Sequence, residues 1–372
     1  MTGSNSMEVR RRNRNKIYRI IHQEKRISKQ EIANQLQLSL PTVSQNLSEL
    51  YEKNLIYENG NFESTGGRKA KGISCNMNAK MAIGLDITKS QISGVLVDLS
   101  GNAVFSVRIR ENFSPEERYY VKLKGIVEQI LSWEKVQPDS ILGIGISMPG
   151  IISGDHKTIL YAPVVETTTL YEDLKKYLPY PYVILNDAKA GGFAELWHSP
   201  HMENMVYLSL SNSVGGAVLM NHNLYYGAGF LSGEIGHMTL VIDGKLCYCG
   251  QKGCMDAYCS AKVLAEYADG NLDDFFYRLE EGNESCRTAW ETYLKYLAVA
   301  INNIRNCLDC EIVVGGYVGS HMGEHLEKLQ QYVAERSTFA TDGSFIRNCI
   351  LKFESSAIGA ALFYIDNFIK AI

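Results

Sequence analysis

The sequence predicts an α/β fold in two parts, a small helical head carrying a β-hairpin and a larger body of two similar lobes. Three observations predict it. Residues 1–80 carry 14 Lys and Arg against 7 Asp and Glu, a balance of +7, whereas the rest carry 23 against 34, a balance of −11. Apolar spacing is helical to about residue 53 and then gives way to short β-branched runs alternating with helical ones. After Met81 the order strand hairpin, helix, strand occurs twice.

The bulk numbers agree with that division. A chain of 372 residues has room for two or three domains with sizeable cores. Hydrophobic residues at 45% and charged residues at 21% match an ordinary globular protein. No apolar run reaches the roughly 18 residues a membrane span needs, so none is expected. The N-terminus lacks the apolar core of a secretory signal. Nine cysteines, an odd count with three in one cluster, point to a reducing cytoplasm rather than a disulfide framework. A basic head on an acidic body predicts that the head alone meets a polyanion.

In chain order, residues 1–8 read as disordered. Residues 9–23 place Val9, Ile17, Ile20 and Ile21 among Arg and Lys, a basic amphipathic helix. Ser28 caps a second helix and Glu31 completes its capping box, with Ile32, Ala33 and Leu36 as the apolar face. After a turn at Gln37 and Leu38, Ser39 caps a third helix over about 40–53, with Pro41 tolerated in its first turn. It buries Val43, Leu47 and Leu50 and shows Thr42, Ser44, Gln45, Asn46 and Ser48.

Helix, tight turn and helix with a small polar face form a helix-turn-helix. Pro41, Thr42, Ser44, Gln45, Asn46 and Ser48 are its candidate DNA contacts, being of a length to reach base edges and phosphates. Residues 55–58 and 61–64, joined at Asn59-Gly60, predict a hairpin wing, which makes residues 9–64 a winged helix-turn-helix. Three-helix protein-interaction modules share the helical pattern; the basic balance and the hairpin favour DNA. Residues 65–80 read as a linker, and Arg68 and Lys69 beside Gly66-Gly67 are further candidate DNA contacts.

The body, 81–372, opens with strands at 82–86, 91–98 and 102–110. A helix over 116–135 precedes a buried strand at 141–147, which ends in Met148-Pro149-Gly150. Another strand at 182–185 runs into Asn186-Asp187 and a helix through 197. The pattern then restarts with strands at 205–210 and 217–220 about a turn at Gly215-Gly216. Helices follow at 260–269 and 286–308, a strand at 311–314, and a C-terminal helix over 355–371.

Residues 234–256, EIGHMTLVIDGKLCYCGQKGCMD, concentrate His237, Cys247, Cys249 and Cys254. One imidazole and three thiolates form the donor set of a closed, tetrahedral structural zinc site. Gly244, Gly250 and Gly253 allow the turns that bring the ligands together.

EIGH followed by C-x-C-G-x-x-G-C resembles the signature of the ROK family of repressors, open reading frames and sugar kinases. The resemblance implies an actin/hexokinase-like fold, lobe one being about 81–187 plus the helix 355–371 and lobe two about 188–354. It implies structural zinc that props a loop touching a sugar. The sugar residues it implies are Asn186, Asp187, Glu234 and Asp256, with Gly150 at the cleft and His237 shared between sugar and metal. Asp187 matches the general base of the family's kinases. Asn186-Asp187 ends a buried strand, where open α/β sheets bind ligands, and an amide beside a carboxylate suits vicinal hydroxyls.

Against the family pattern, Asp256 stands where Glu is usual, and Ala162-Pro163-Val164-Val165 lacks the amide of A-P-N-L. The phosphate loops depart further. Gly84-Leu85-Asp86-Ile87-Thr88-Lys89 lacks two glycines of G-x-D-x-G-G-T-K. Ser211-Asn212-Ser213-Val214-Gly215-Gly216-Ala217 lacks three of G-T-G-x-G-G-G, and Tyr317 follows Gly315-Gly316 where a third glycine is usual. Backbone N–H groups must approach phosphate closely, so a spoiled cradle removes most phosphoryl-transfer catalysis.

These readings predict no enzyme. They predict a cytoplasmic regulator that binds operator DNA through a homodimer, or a tetramer of paired dimers, and responds to a monosaccharide or sugar phosphate. Repression is the expected sign; an activator would share every residue named. A sugar kinase with a fused DNA-binding head, and a regulator controlled by a docking protein, are the alternatives.

Overall fold

Each head helix after the first starts where a side chain takes its free N–H groups. In the computed structural model, which describes residues 2–62, 70–134, 136–339 and 342–372, α1 spans Thr2–Glu24 and a short strand β1 spans Ile27–Ser28. The Ser28–Glu31 capping box opens α2, Lys29–Leu36, and Gln37 ends it in the left-handed conformation. Ser39 caps α3, Leu40–Glu52. The first helix therefore starts seven residues before the expected position, among residues expected to be disordered.

The wing is a hairpin, but not the expected one. Strand β2, Ile56–Asn61, runs straight through Asn59-Gly60 with a register shift there, and it pairs with β3, Lys71–Cys75. Since β3 also pairs with β1, the head holds a three-stranded sheet and extends to Cys75. Residues 71–75 are thus part of the head rather than linker. Asn-Gly signals a tight turn only when the flanking runs can pair, and Lys71–Cys75 offers the more apolar partner: residues 72–75 are all buried.

The body contains two sheets of one design. In the first, β4 (Met81–Ile87), β5 (Gln91–Asp98) and β6 (Ala103–Arg110) form an antiparallel meander, and β7 (Ile141–Met148) and β8 (Tyr182–Asn186) add in parallel beyond β4. The second repeats this with β9 (Met205–Leu210), β10 (Val214–Met220) and β11 (Asn223–Leu224), then β12 (Glu311–Gly315) and β13 (Ile346–Asn348) beyond β9. Gly215 and Gly216 lie inside β10, opposite Ser209 and Leu208, and are not the turn they were expected to form. A side chain on Gly216 would meet Ile235 and the carbonyl of Gly233, so close packing is the reason for the glycine.

The helix that follows the last parallel strand of each sheet crosses to the other lobe. Helix α4, Asp187–His198, leaves β8 of the first sheet and packs on β9 and β10 of the second. Helix α5, Ser355–Ala371, follows β13 of the second and packs on β4, β5 and β7 of the first. Gly84 and Gly145 permit this, because a Cβ at either would stand 1.9 Å from a carbonyl oxygen of that last helix. The two crossing helices pack against each other at the hinge.

The head is not tethered loosely. Ile17, Tyr18 and Ile21 of α1 share one apolar core with Val95, Val97, Leu99, Leu362, Ile365 and Ile369 of the body. His22 Nε2 lies 3.0 Å from the carbonyl of Leu99, Arg14 Nε donates to the carbonyl of Ile372 at 2.6 Å, and Asn15 donates to that of Ile369. Arg10 and Arg14 both pair with Glu49 of α3. The first helix thus joins the body to the helix expected to read DNA.

Candidate functional site

The 3₁₀ turn Ile235–His237 fixes the start of the His/Cys stretch, with the N–H of His237 donating to the carbonyl of Glu234 at 3.2 Å. The chain then runs out to residue 246 and doubles back. Leu240 N–H donates to Gly253 O, Cys247 N–H to Gln251 O and Gly253 N–H to Lys245 O, each at 2.8 Å. Gly253 sits at φ +82°, and a Cβ there would lie 1.8 Å from the carbonyl oxygen of Val241. Glycine is therefore required at this turn.

The fold brings all four expected ligands together. One donor atom each from His237, Cys247, Cys249 and Cys254 lie within 4.8 Å of one another. His237 Nδ1 is 3.9 Å from Cys247 Sγ, and Cys249 Sγ is 3.8 Å from Cys254 Sγ. Tetrahedral bonds of about 2.0–2.3 Å place ligand atoms roughly 3.5–3.8 Å apart, so this donor set fits such an ion. Burial pushes the Cys247 thiol up to about 12. Burial also acts upward on Cys249, but the Gln251 N–H and the neighbouring thiols outweigh it and hold that thiol below its ordinary value.

Between the lobes lies a cleft of about 490 Å³. Asp187, Pro149, Pro163, Val164 and Tyr248 line it, together with Thr88, Ser211, Ser213, Gly316 and Tyr317. Asp187 opens α4, with its Oδ1 accepting the N–H of Ala188 at 2.8 Å. Burial raises its pKa, and Glu234 nearby adds to the effect. Asn186 caps the same helix: its Oδ1 accepts the Lys189 N–H at 2.8 Å, and its Nδ2 donates to the carbonyl of Gly150 at 2.9 Å. Gly150 thus meets Asn186 through its backbone.

Glu234 is paired with Lys189, 3.9 Å away, whose side chain is almost wholly buried. Lys189 also donates to the carbonyl of Phe230 at 3.3 Å. Sequence reading passed over Lys189, because a lysine in a first helical turn ordinarily faces water. Asp256 is buried and its Oδ1 accepts the N–H of Val214 at 2.6 Å; neither Asp256 nor Glu234 is among the residues that line the cleft.

Three backbone donors near the loops expected to face phosphate are occupied within the chain. Thr88 N–H donates to the carbonyl of Gln91, Val214 N–H to Asp256, and Tyr317 N–H to Ser211 Oγ at 3.4 Å. Missing glycines are thus only part of the departure.

Asp86 faces the same cleft and receives a hydrogen bond from Ser147 Oγ at 2.7 Å; burial raises its carboxyl to about 7. The folded protein therefore holds this proton more tightly than the unfolded chain, whose aspartate titrates near 3.9. The stability that this contributes is present below about pH 4 and is lost as pH rises through about 7. Asp86→Asn, which puts an uncharged amide at the same place, is expected to lack that loss. Thermal melts of both proteins from pH 4.5 to 8 should diverge in the variant's favour as pH rises; parallel curves would remove Asp86 as the cause.

In the head, Pro41, Thr42, Ser44, Gln45 and Ser48 lie on one side of α3 and are exposed or half-buried. Lys29 Nζ donates to Ser44 Oγ at 3.0 Å, bringing a cation onto that face. Asn46 departs from its expected place. It is 1% exposed, and its Nδ2 donates to the carbonyl of Thr42 at 2.8 Å, so it is turned inward beside Val43 and Leu47. Arg68 and Lys69 lie outside the described residues.

No described helix is long and apolar enough to cross a membrane. Two family models match: "ROK family" over residues 82–367, and "Winged helix-turn-helix DNA-binding" over residues 10–57. Among curated proteins, a xylose repressor of Bacillus subtilis (strain 168) is 28% identical over 359 residues, 93% of each chain. The xylose repressor of Bacillus spizizenii is 30% identical over 300 residues, 77% of each. Among solved structures, a ROK family transcriptional regulator described as a homologue of the E. coli MLC protein matches with TM-score 0.76 and 19% identity, covering 98% of this chain and 97% of that one. A ROK family glucokinase of Streptomyces griseus, in complex with glucose and AMPPNP, matches with TM-score 0.66 and 21% identity, covering 76% of this chain and 98% of that one. At those identities the structures establish the fold alone. The matched models span head and body in turn, and the chain belongs to the ROK family, with a winged helix-turn-helix at its N-terminus.

Proposed function

We propose that this chain is a sugar-responsive, DNA-binding repressor whose effector is xylose or a closely related aldose. The observation that carries the reading is the shared core between a DNA-binding head and a two-lobed cleft of sugar-kinase type. A head fused to an enzyme for proximity alone would need no such core. Repression and xylose come from the relatives, which are xylose repressors over most of their length.

In this reading the effector binds between the lobes through Asp187 and Glu234, with Asn186 holding Gly150 and the first turn of α4 in place. His237, Cys247, Cys249 and Cys254 hold a structural zinc, which fixes the loop on the sugar side and takes no part in any reaction. Nine cysteines, with no disulfide, suit a reducing cytoplasm. Thr42, Ser44, Gln45 and Ser48 face the major groove, Pro41 starts the helix that presents them, and Arg68 and Lys69 follow the phosphates. One such head reads a half-site, so the operator is bound by a homodimer. Closing the lobes on a sugar shifts α4, the last helix packed on it, and then the first helix of the head. A preference of roughly 1–3 kcal/mol for one lobe angle is the usual size of such coupling.

The kinase reading competes through the sugar cleft. Against it stand the occupied backbone donors at Thr88, Val214 and Tyr317. Capture of genomic fragments by the purified protein, with and without a panel of aldoses and their phosphates, tests the proposal. A few enriched sites released by one sugar are expected. Sites indifferent to every sugar would move control to a partner protein, and no sites, together with sugar-dependent ATP consumption, would establish the kinase.

A further inference from the structure

Tyr248 lies between two of the candidate metal ligands, in Cys247-Tyr248-Cys249, and it is half exposed and lines the same cleft as Asp187, Pro163 and Val164. Its phenol oxygen is 3.2 Å from His237 Nε2, and the two rings meet edge to face with centroids 5.3 Å apart. The other nitrogen of the imidazole, Nδ1, faces Cys247 Sγ. With Nδ1 turned to a metal, Nε2 carries the ring proton, so the imidazole donates and the phenol oxygen accepts. That bond leaves the phenol's own O–H free to donate into the cleft. On the same cleft, Val164 stands where the family pattern has an amide.

We propose that Tyr248, rather than His237, is the residue of the metal loop that touches the effector, and that its O–H reads one sugar hydroxyl. Tyr248 covers the imidazole nitrogen that would otherwise face the sugar and carries the hydrogen-bonding function outward by the length of a phenol. The effector it suits is a neutral pyranose with a free hydroxyl at the carbon facing Tyr248. A bulkier group at that carbon, such as N-acetyl, would meet the ring. This rests on the regulator reading above.

The test is calorimetric titration of the metal-loaded full chain and of Tyr248→Phe with a panel of aldoses, D-xylose among them. The tightest-binding sugar is then followed by its single-deoxy analogues. Loss of one hydrogen bond is expected to weaken the parent sugar five- to tenfold in the variant. One deoxy analogue should bind wild type that much more weakly than the parent, yet bind Tyr248→Phe no more weakly than the parent does. Metal content measured in parallel should stay unchanged, since the phenol is no ligand. Equal affinities of the two proteins for the parent sugar, or the same pattern of deoxy losses in both, would overturn the role of Tyr248 and leave the regulator reading standing. Wild type that binds no aldose would overturn both.

Discussion

Asp187→Ala is expected to abolish the sugar response and to leave operator affinity within about twofold. Asp187 is the carboxylate on the cleft wall at the start of α4, and one of its oxygens is already committed to the Ala188 N–H. In the proposed reading its second oxygen accepts from sugar hydroxyls. Hydrogen bonds to a charged group contribute about 1.5–3 kcal/mol each, and two of them amount to roughly a hundredfold or more in affinity. Stability should not fall with it. Burial raises the pKa of Asp187, so the ionised carboxylate opposes folding at neutral pH, and its removal relieves that cost. The measurement is operator binding by anisotropy across a sugar titration. A normal response would place the pocket elsewhere in the cleft.

Cys249→Ser carries the other large effect. Wild type is expected to hold one zinc per chain and the variant less than a tenth of that, by elemental analysis after desalting. Cys249 is half exposed, so the substitution spares the core and isolates the loss of a ligand. Without the ion, the hairpin from residue 238 to 254 retains its few backbone bonds but loses the anchor that joins them to His237. Melting is expected to fall by roughly 5–10 °C, a few kcal/mol on a chain of this size. Sugar affinity should collapse with the loop, while the head, whose core includes none of the cluster residues, keeps its DNA affinity. A chelator added to wild type should reproduce both effects. Zinc at one ion per chain in the variant would exclude Cys249 from the ligand set.

Wherever chemistry depends on residues near one another in the chain, the sequence was sufficient. The capping box at Ser28 and Glu31, the cap at Ser39 with Pro41 behind it, and the clustering of His237, Cys247, Cys249 and Cys254 were all readable, because short-range geometry leaves few alternatives. The repeat of hairpin, helix and strand likewise announced two lobes. Turn chemistry misled where a longer-range pairing prevailed. Asn59-Gly60 and Gly215-Gly216 both look like turns, yet each lies within a strand, since Lys71–Cys75 and residues 208–209 were the available partners. Asn46 read as a DNA contact because its helical position borders the exposed face, and only packing against the neighbouring helices turned it inward.

The sequence by itself determined the parts of this protein: a basic winged helix-turn-helix head, a doubled α/β body, and a His/Cys cluster of metal-ligand type. Tertiary structure decided how the parts join and which partners the polar groups find. It placed the first helix of the head against the last helix of the body, made residues 71–75 a strand of the head, gave Asp256 the N–H of Val214 as a partner, and set Tyr248 over His237. Each of these joins residues distant in sequence or depends on which side chain reaches a buried donor first. Local spacing does not record that competition, because burial and hydrogen bonding settle it only once the chain is folded.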